Sequence, residues 1–205
     1  MVSAPERVRR THEERSAASR EKLARAAFEL IRDEGYASFR VASVAKAAGV
    51  SQGGQLHHFP TKDAITLAAV AYGTRLAEAR TMANLRAFSP DNDPVEALAR
   101  DSKDYYFGAS FEVSLDVSKS ASGDPDLFAQ ITQLSRTYRD KVERRWCSNL
   151  VALGWPAQDA RDVIELTTAL VRGFAMRRMI HPDRGQFERL IERWTRMVYA
   201  GLGHS

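Results

Sequence analysis

Residues 41–60, VASVAKAAGVSQGGQLHHFP, constrain the chain more than any other stretch. Val41, Val44, Ala45 and Ala48 recur at i, i+3, i+4 and i+7, which puts one apolar face on a short helix. Gly49 follows as a residue able to enter the left-handed region and stop that helix. Val50 is the apolar anchor of the turn, and Ser51 is placed to cap a second helix that ends at Pro60. That second helix opens Gln52-Gly53-Gly54-Gln55. A glycine inside a helix costs about 1 kcal/mol relative to alanine, so two of them imply that something approaches the backbone closely. A helix, a tight glycine turn and a second helix headed by polar residues form a helix-turn-helix, whose second helix enters the DNA major groove.

Flanking segments agree in order and distance. Arg20, Ala26-Ala27 and Gly35-Tyr36 precede the pair, Val44 to Ser51 form it, and His57-His58-Phe59-Pro60-Thr61-Lys62-Asp63 follow. Over residues 19–66 this pattern resembles the N-terminal domain of the TetR family of bacterial transcriptional repressors. The resemblance implies an all-α protein, with an N-terminal helix-turn-helix domain joined by a long helix to a C-terminal helical domain for ligand binding and dimerisation. It implies a homodimer that binds a palindromic operator and is released by a small-molecule effector. The expected division is a basic arm over 1–18, the DNA-binding domain over 19–66 and the C-terminal domain over 67–205.

Candidate DNA contacts are Arg20, Arg40, Ser51, Gln52, Gly53, Gly54, Gln55, His57, His58 and Lys62. Gln52 and Gln55 are each able to read an adenine edge with paired hydrogen bonds, and the histidines to donate to phosphates or bases. The resemblance puts the start of the first helix against the DNA backbone, hence Arg20 on a phosphate. Two departures stand out. Arg40 occupies the position where a threonine commonly caps the second helix, and arginine has no acceptor for the free N–H groups there. Either Ser38 caps one turn early or Arg40 pairs with a phosphate. Where the family usually shows a leucine and then two tyrosines around the histidine, this chain has Gln55, Leu56 and His58. Leu56 cannot hydrogen-bond; it either packs under the helix or touches a thymine methyl.

The remaining chain reads as helices. The first is expected from Ser19 to Glu34, on the stripe Leu23, Ala26, Ala27, Leu30 and Ile31. Thr61 starts a long helix to about Ala87, and Asp93-Pro94 and Asp124-Pro125 are further cap-and-proline starts. Candidate effector contacts are Tyr105, Phe107, Phe111, Leu115, Asp116, Phe128, Ile131, Leu134, Trp146 and Phe174, though a core uses the same residue types. Asp116 among them suits a cationic ligand. The last two helices, 158–180 and 185–202, carry the expected dimer contacts Val163, Leu166, Leu170, Phe174, Leu190, Ile191, Trp194 and Val198.

Composition sets few limits. A net charge of +4 mildly favours a polyanionic partner, and a single cysteine, Cys147, suits a reducing compartment. Residues 1–20 are rich in Arg and Glu and show no leader pattern, so a cytoplasmic location is expected. His57 and His58 are helix neighbours pointing about 100° apart, which excludes joint chelation of a metal, and no cofactor is implied. Two rival classes remain. An all-helical enzyme needs a nucleophile or acid–base pair, but Cys147 has no histidine near it in sequence and no glycine-rich phosphate loop follows a strand. A module that binds only proteins leaves Gln52, Gln55, His57 and His58 without a purpose.

Overall fold

A computed structural model of the chain describes residues 11–181 and 185–202. Every regular element among them is helical, as expected: α1 (His12–Glu34), α2 (Val41–Ala48), α3 (Gln52–His58), α4 (Lys62–Ala87), α5 (Pro94–Tyr106), α6 (Ala109–Ser120), α7 (Pro125–Ala152), α8 (Ala157–Arg178) and α9 (Gln186–Leu202). The chain divides into two compact units between Tyr72 and Gly73, within α4.

In the first unit α1 packs on α2 and both touch α3. Leu23, Ala27, Ile31, Phe39, Val44, Phe59 and Ile65 are buried here. The start of α1 differs from expectation. Thr11, not Ser19, is the cap: its hydroxyl accepts from the Glu14 N–H at 3.2 Å, while the Glu14 carboxylate accepts from the Thr11 N–H at 2.8 Å. This reciprocal pair satisfies first-turn donors without any apolar stripe, and the stripe begins only at Leu23. Residues 12–18, expected as part of an arm, therefore belong to α1; Arg7, Arg9 and Arg10 lie outside the described residues.

In the second unit α5 lies against α8, α7 packs on α8, and α9 packs on both α5 and α8. Val95, Leu98, Trp146, Leu150, Val163, Ile164 and Val198 form one core cluster. Ala99, Tyr106, Val171, Ala175, Phe187 and Ile191 form another. The two proline starts hold: the Asp93 carboxylate accepts from the Val95 and Glu96 N–H groups, and that of Asp124 from Leu127. Within this unit α4 is tied to its neighbours by polar contacts. Ser110 Oγ donates to the Gly73 carbonyl at 2.8 Å, Lys141 pairs with Glu78, and Thr81 and Asn84 donate to Asp101 at 3.1 and 2.8 Å.

Candidate nucleic-acid interface

The turn between α2 and α3 is built as its residue types require. Gly49 sits in the left-handed region at φ 65°, ψ 34°, and the Val50 N–H turns back to the Ala45 carbonyl at 3.0 Å. Ser51 then caps α3, its hydroxyl accepting from the Gly54 N–H at 3.1 Å. The outward face of α3 consists of Gln52, Gly53, Leu56 and His57, all exposed, with Leu56 at 54%. A methyl added at Gly53 meets nothing within 4 Å, so the fold itself does not require that glycine. At Gly54 a methyl meets Val50 Cγ1 at 3.1 Å and the capping Ser51 Oγ at 3.2 Å, so a larger residue fits only if those side chains shift by a few tenths of an ångström.

Gln55 corrects the expectation. It is 3% exposed, and its Nε2 donates to the Phe59 carbonyl at 2.8 Å. On a helix of seven residues the position three after Gln52 turns inward, and Gln55 fills the buried place where the family pattern has leucine. Its polar end is satisfied by the C-cap carbonyl, leaving nothing to read a base. Leu56 resolves the other way: it does not pack under the helix.

Three cations of this unit are held by aromatic rings and carbonyls. The Arg20 guanidinium lies 4.9 Å from the Phe59 ring centre, and the Lys62 ammonium 4.6 Å from that of Tyr36. Arg40 donates through Nη1 to the Ala37 and Phe39 carbonyls at 3.0 and 3.1 Å, and no side chain caps α2. Ser38 does not take that role. His57 and His58 meet edge-on at 5.4 Å. Desolvation, then the neighbouring His57 and Arg20, hold the half-buried His58 below the usual histidine range, so it is neutral near pH 7.

A cavity of ≈ 180 Å³ opens between α5, α6, α7 and α8 in the second unit. Tyr105, Phe111, Leu115 and Trp146, four of the ten effector candidates, line it. The other six do not. Phe107 and Phe174 pack on Phe187 in the core at 5.3 and 5.5 Å, Ile131 is fully buried, and Phe128 is 44% exposed; Leu134 and Asp116 are half-buried elsewhere. Unforeseen lining residues include Asp101, Tyr106, Tyr138, Arg139, Glu143 and Arg172. A signal existed for two of them: Arg139 and Glu143 are an i, i+4 polar pair running beside the apolar stripe Tyr138, Val142, Trp146. Asp101 is 4% exposed and accepts from Trp146 Nε1 at 2.9 Å as well as from Thr81 and Asn84. Burial pushes its carboxyl up, and those three donors pull it partly back. Burial likewise raises the hydroxyls of Tyr105, Tyr106 and Tyr138 and the Glu143 carboxyl.

The expected dimer residues divide. Val163, Ile191 and Val198 are buried in the monomer core and cannot face a partner. Their places on the stripe are taken inward because α8 and α9 pack within one chain on α5. Leu166 is 55% exposed, and Leu170, Phe174, Leu190 and Trp194 are half-buried. An outward seam runs along α8 through Leu166, Ala169, Gly173 and Met176, spaced alternately three and four residues apart, and the exposed Ile180 follows just past the helix end.

No helix among the described residues is long and apolar enough to cross a membrane. Residues 23–69 match the family model described as bacterial regulatory proteins, tetR family. The HTH-type transcriptional regulator CymR of Pseudomonas putida is 37% identical over 182 residues, covering 89% of this chain and 90% of that one. Among solved structures, a transcriptional regulator from Rhodococcus sp. Rha1 superposes with TM-score 0.62 at 25% identity, over 89% of this chain and 97% of that one. A regulator from Saccharomonospora viridis, crystallised with choline, does so with TM-score 0.63 at 22% identity, over 92% and 97%. These relatives regulate transcription and are not enzymes. The helix-turn-helix at residues 41–60 and the relatives that span nine-tenths of the chain point the same way: the protein is a member of the TetR family of bacterial transcriptional regulators.

Proposed function

We propose that the chain is a homodimeric repressor that binds a palindromic operator and is released by a small molecule held in the second unit. The observation that carries this is the outward face of α3, where Gln52, Gly53, Leu56 and His57 are exposed and take no part in the buried core. Gln52 reads an adenine edge, Leu56 meets a thymine methyl, and the glycine backbone lies close to the duplex. His57, Arg20, Arg40 and Lys62 hold phosphates, while Ser51 and Gly54 shape the turn. His58, neutral and half-buried, contributes a hydrogen bond rather than a charge. The DNA-binding domain is α1 to the start of α4, and the C-terminal domain is the rest.

Two copies pair through the outward seam of α8 and the exposed Met197 side of α9, so that two α3 helices reach successive major grooves about 34–36 Å apart. The cavity offers the effector site, and a fold neighbour solved in complex with choline supports a small-molecule ligand for a protein of this fold. Asp101 and Trp146 line the cavity, and Asp101 is hydrogen-bonded to Thr81 and Asn84 of α4, the helix that continues into the DNA-binding unit. Occupancy strains that link and moves α4; couplings of this kind amount to about 1–3 kcal/mol. Such a regulator works beside the chromosome, in the cytoplasm.

The test is a gel shift of the full chain on the DNA upstream of its own gene. Retardation that survives excess random duplex and weakens steeply with salt is expected. Equal competition by random duplex contradicts a sequence-specific repressor.

A further inference from the structure

The inner cavity is not held equally on all sides. On α5 and α6 its wall is tied down. Asp101 accepts from Thr81, Asn84 and Trp146. The Ser114 hydroxyl donates to the Ser110 carbonyl at 2.9 Å, and that of Ser118 to the Ser114 carbonyl at 2.7 Å. The Tyr105 ring packs against Tyr106 and Tyr138 at 4.9 and 4.7 Å. The side between α7 and α8 is different. Arg139 and Glu143 of α7 and Ile164, Thr168 and Arg172 of α8 line the inner cavity, and the same five residues line a second, more open cavity of ≈ 720 Å³. A partition of side chains therefore divides the inner cavity from this outer groove.

Arg139, Glu143 and Arg172 are long charged chains, and among the described residues no ion pair or hydrogen bond holds the head group of any of them. Arg172 is exposed and Arg139, Glu143 and Thr168 are half-buried, so the charged ends keep to water by way of the groove. Rotamer changes of such chains are fast beside any movement of a packed helix. Opening the partition takes rotamer changes alone, whereas a route between α5 and α8 separates the buried Leu98 and Ile164 of one core cluster. A partner copy on the α8 seam does not fill the groove either. The groove residues Arg161, Glu165, Thr168 and Arg172 recur at i, i+4, i+7 and i+11, one stripe of α8, while Leu166, Gly173 and Met176 follow the neighbouring stripe and only Ala169 is common to both. The competing way in lies at the other end of the cavity, between the half-buried Ser118 of α6 and Ser135 of α7.

We propose that the groove between α7 and α8 is the entrance to the inner cavity, with Arg139, Glu143 and Arg172 as its gate and Thr168 and Ile164 as its sill. This rests on the effector reading of the cavity given above, yet the route is testable without an effector. The chain holds one cysteine, Cys147, so in Cys147→Ser a thiol introduced by Ser114→Cys or Ser102→Cys is the sole reporter. Both serines line the inner cavity at 8% exposure, on α6 and α5, and either reporter serves if the other variant fails to fold. The measurement is the rate at which methyl methanethiosulfonate, a small neutral reagent, modifies the full chain in native buffer, read by mass spectrometry. Arg172→Trp and Thr168→Phe fill the partition and each slow the reporter about ten-fold or more, with the melting temperature retained. Arg139→Ala combined with Arg172→Ala speeds it about three-fold or more, and Ser135→Phe, at the other end, leaves it within about two-fold. A rate indifferent to both fillings, slowing by Ser135→Phe instead, or modification of both thiols only through global unfolding overturns the proposal. Because the reagent reports entry whether or not anything releases DNA, a refuted entrance leaves the effector reading standing, and a chain that no small molecule releases from its operator leaves the entrance standing.

Discussion

Replacing Gly53 by alanine sets two effects of one methyl group against each other. The position is the second residue of α3, in ordinary helical conformation, and the added carbon has open space around it. In the free protein the substitution removes the entropic penalty of a helical glycine, a gain of about 0.5–1 kcal/mol. For a chain of this size that raises the melting temperature by roughly 1–4 °C. On DNA the same methyl stands between the helix backbone and the duplex, in each of two half-sites. The expected loss of operator affinity is at least ten-fold, or about 1.4 kcal/mol. Thermal melting of the free protein and a gel-shift titration at fixed salt measure the two quantities separately. A variant that melts higher yet binds the operator as tightly as the parent refutes close approach at Gly53. One that melts lower shows that the glycine serves the fold.

Gln52→Ala and Gln55→Ala separate the two glutamines. The first weakens specific binding and leaves the melting temperature unchanged, whereas the second orphans the Phe59 carbonyl and lowers stability by about 1–3 kcal/mol, read by urea unfolding. Asp101→Ala removes the acceptor of Trp146, Thr81 and Asn84 and costs about 2–4 kcal/mol by the same measurement. The His58 ring has its folded pKa depressed below the ordinary 6.5, so its share of stability is present above that pH and is lost as pH falls through the folded value. His58→Gln therefore flattens the fall in melting temperature on acidification through this range; an unchanged slope contradicts the assignment.

The helices were legible because their signals are local. Asp93-Pro94 and Asp124-Pro125 place caps and first-turn prolines directly, and Gly49 marks the turn by its backbone alone. The start of α1 was not, since Thr11 and Glu14 cap a stretch whose exposed turns lack apolar periodicity. Within the interface, residue type identified the polar helix, but orientation decided between Gln52 and Gln55. A seven-residue helix is too short for its pattern to reveal the inward side, and a glutamine in a leucine's place carries the wrong polarity. The cavity was half-legible for a related reason. Tyr105 and Phe111 sit on one wall, yet Arg139, Glu143 and Arg172 come from two helices that only tertiary packing brings together. Val163, Ile191 and Val198 share stripes with outward residues, and the width of a stripe does not say which edge a partner chain covers.

Hydroxyl-radical footprinting of the full chain on its upstream DNA bears most directly on the central claim, that two copies of α3 present their outward faces to one operator. Two protected patches on the same side of the duplex, centred one helical turn or about 10 base pairs apart and both lost in Gln52→Ala, are the predicted result. A single patch, or protection indifferent to Gln52, contradicts it.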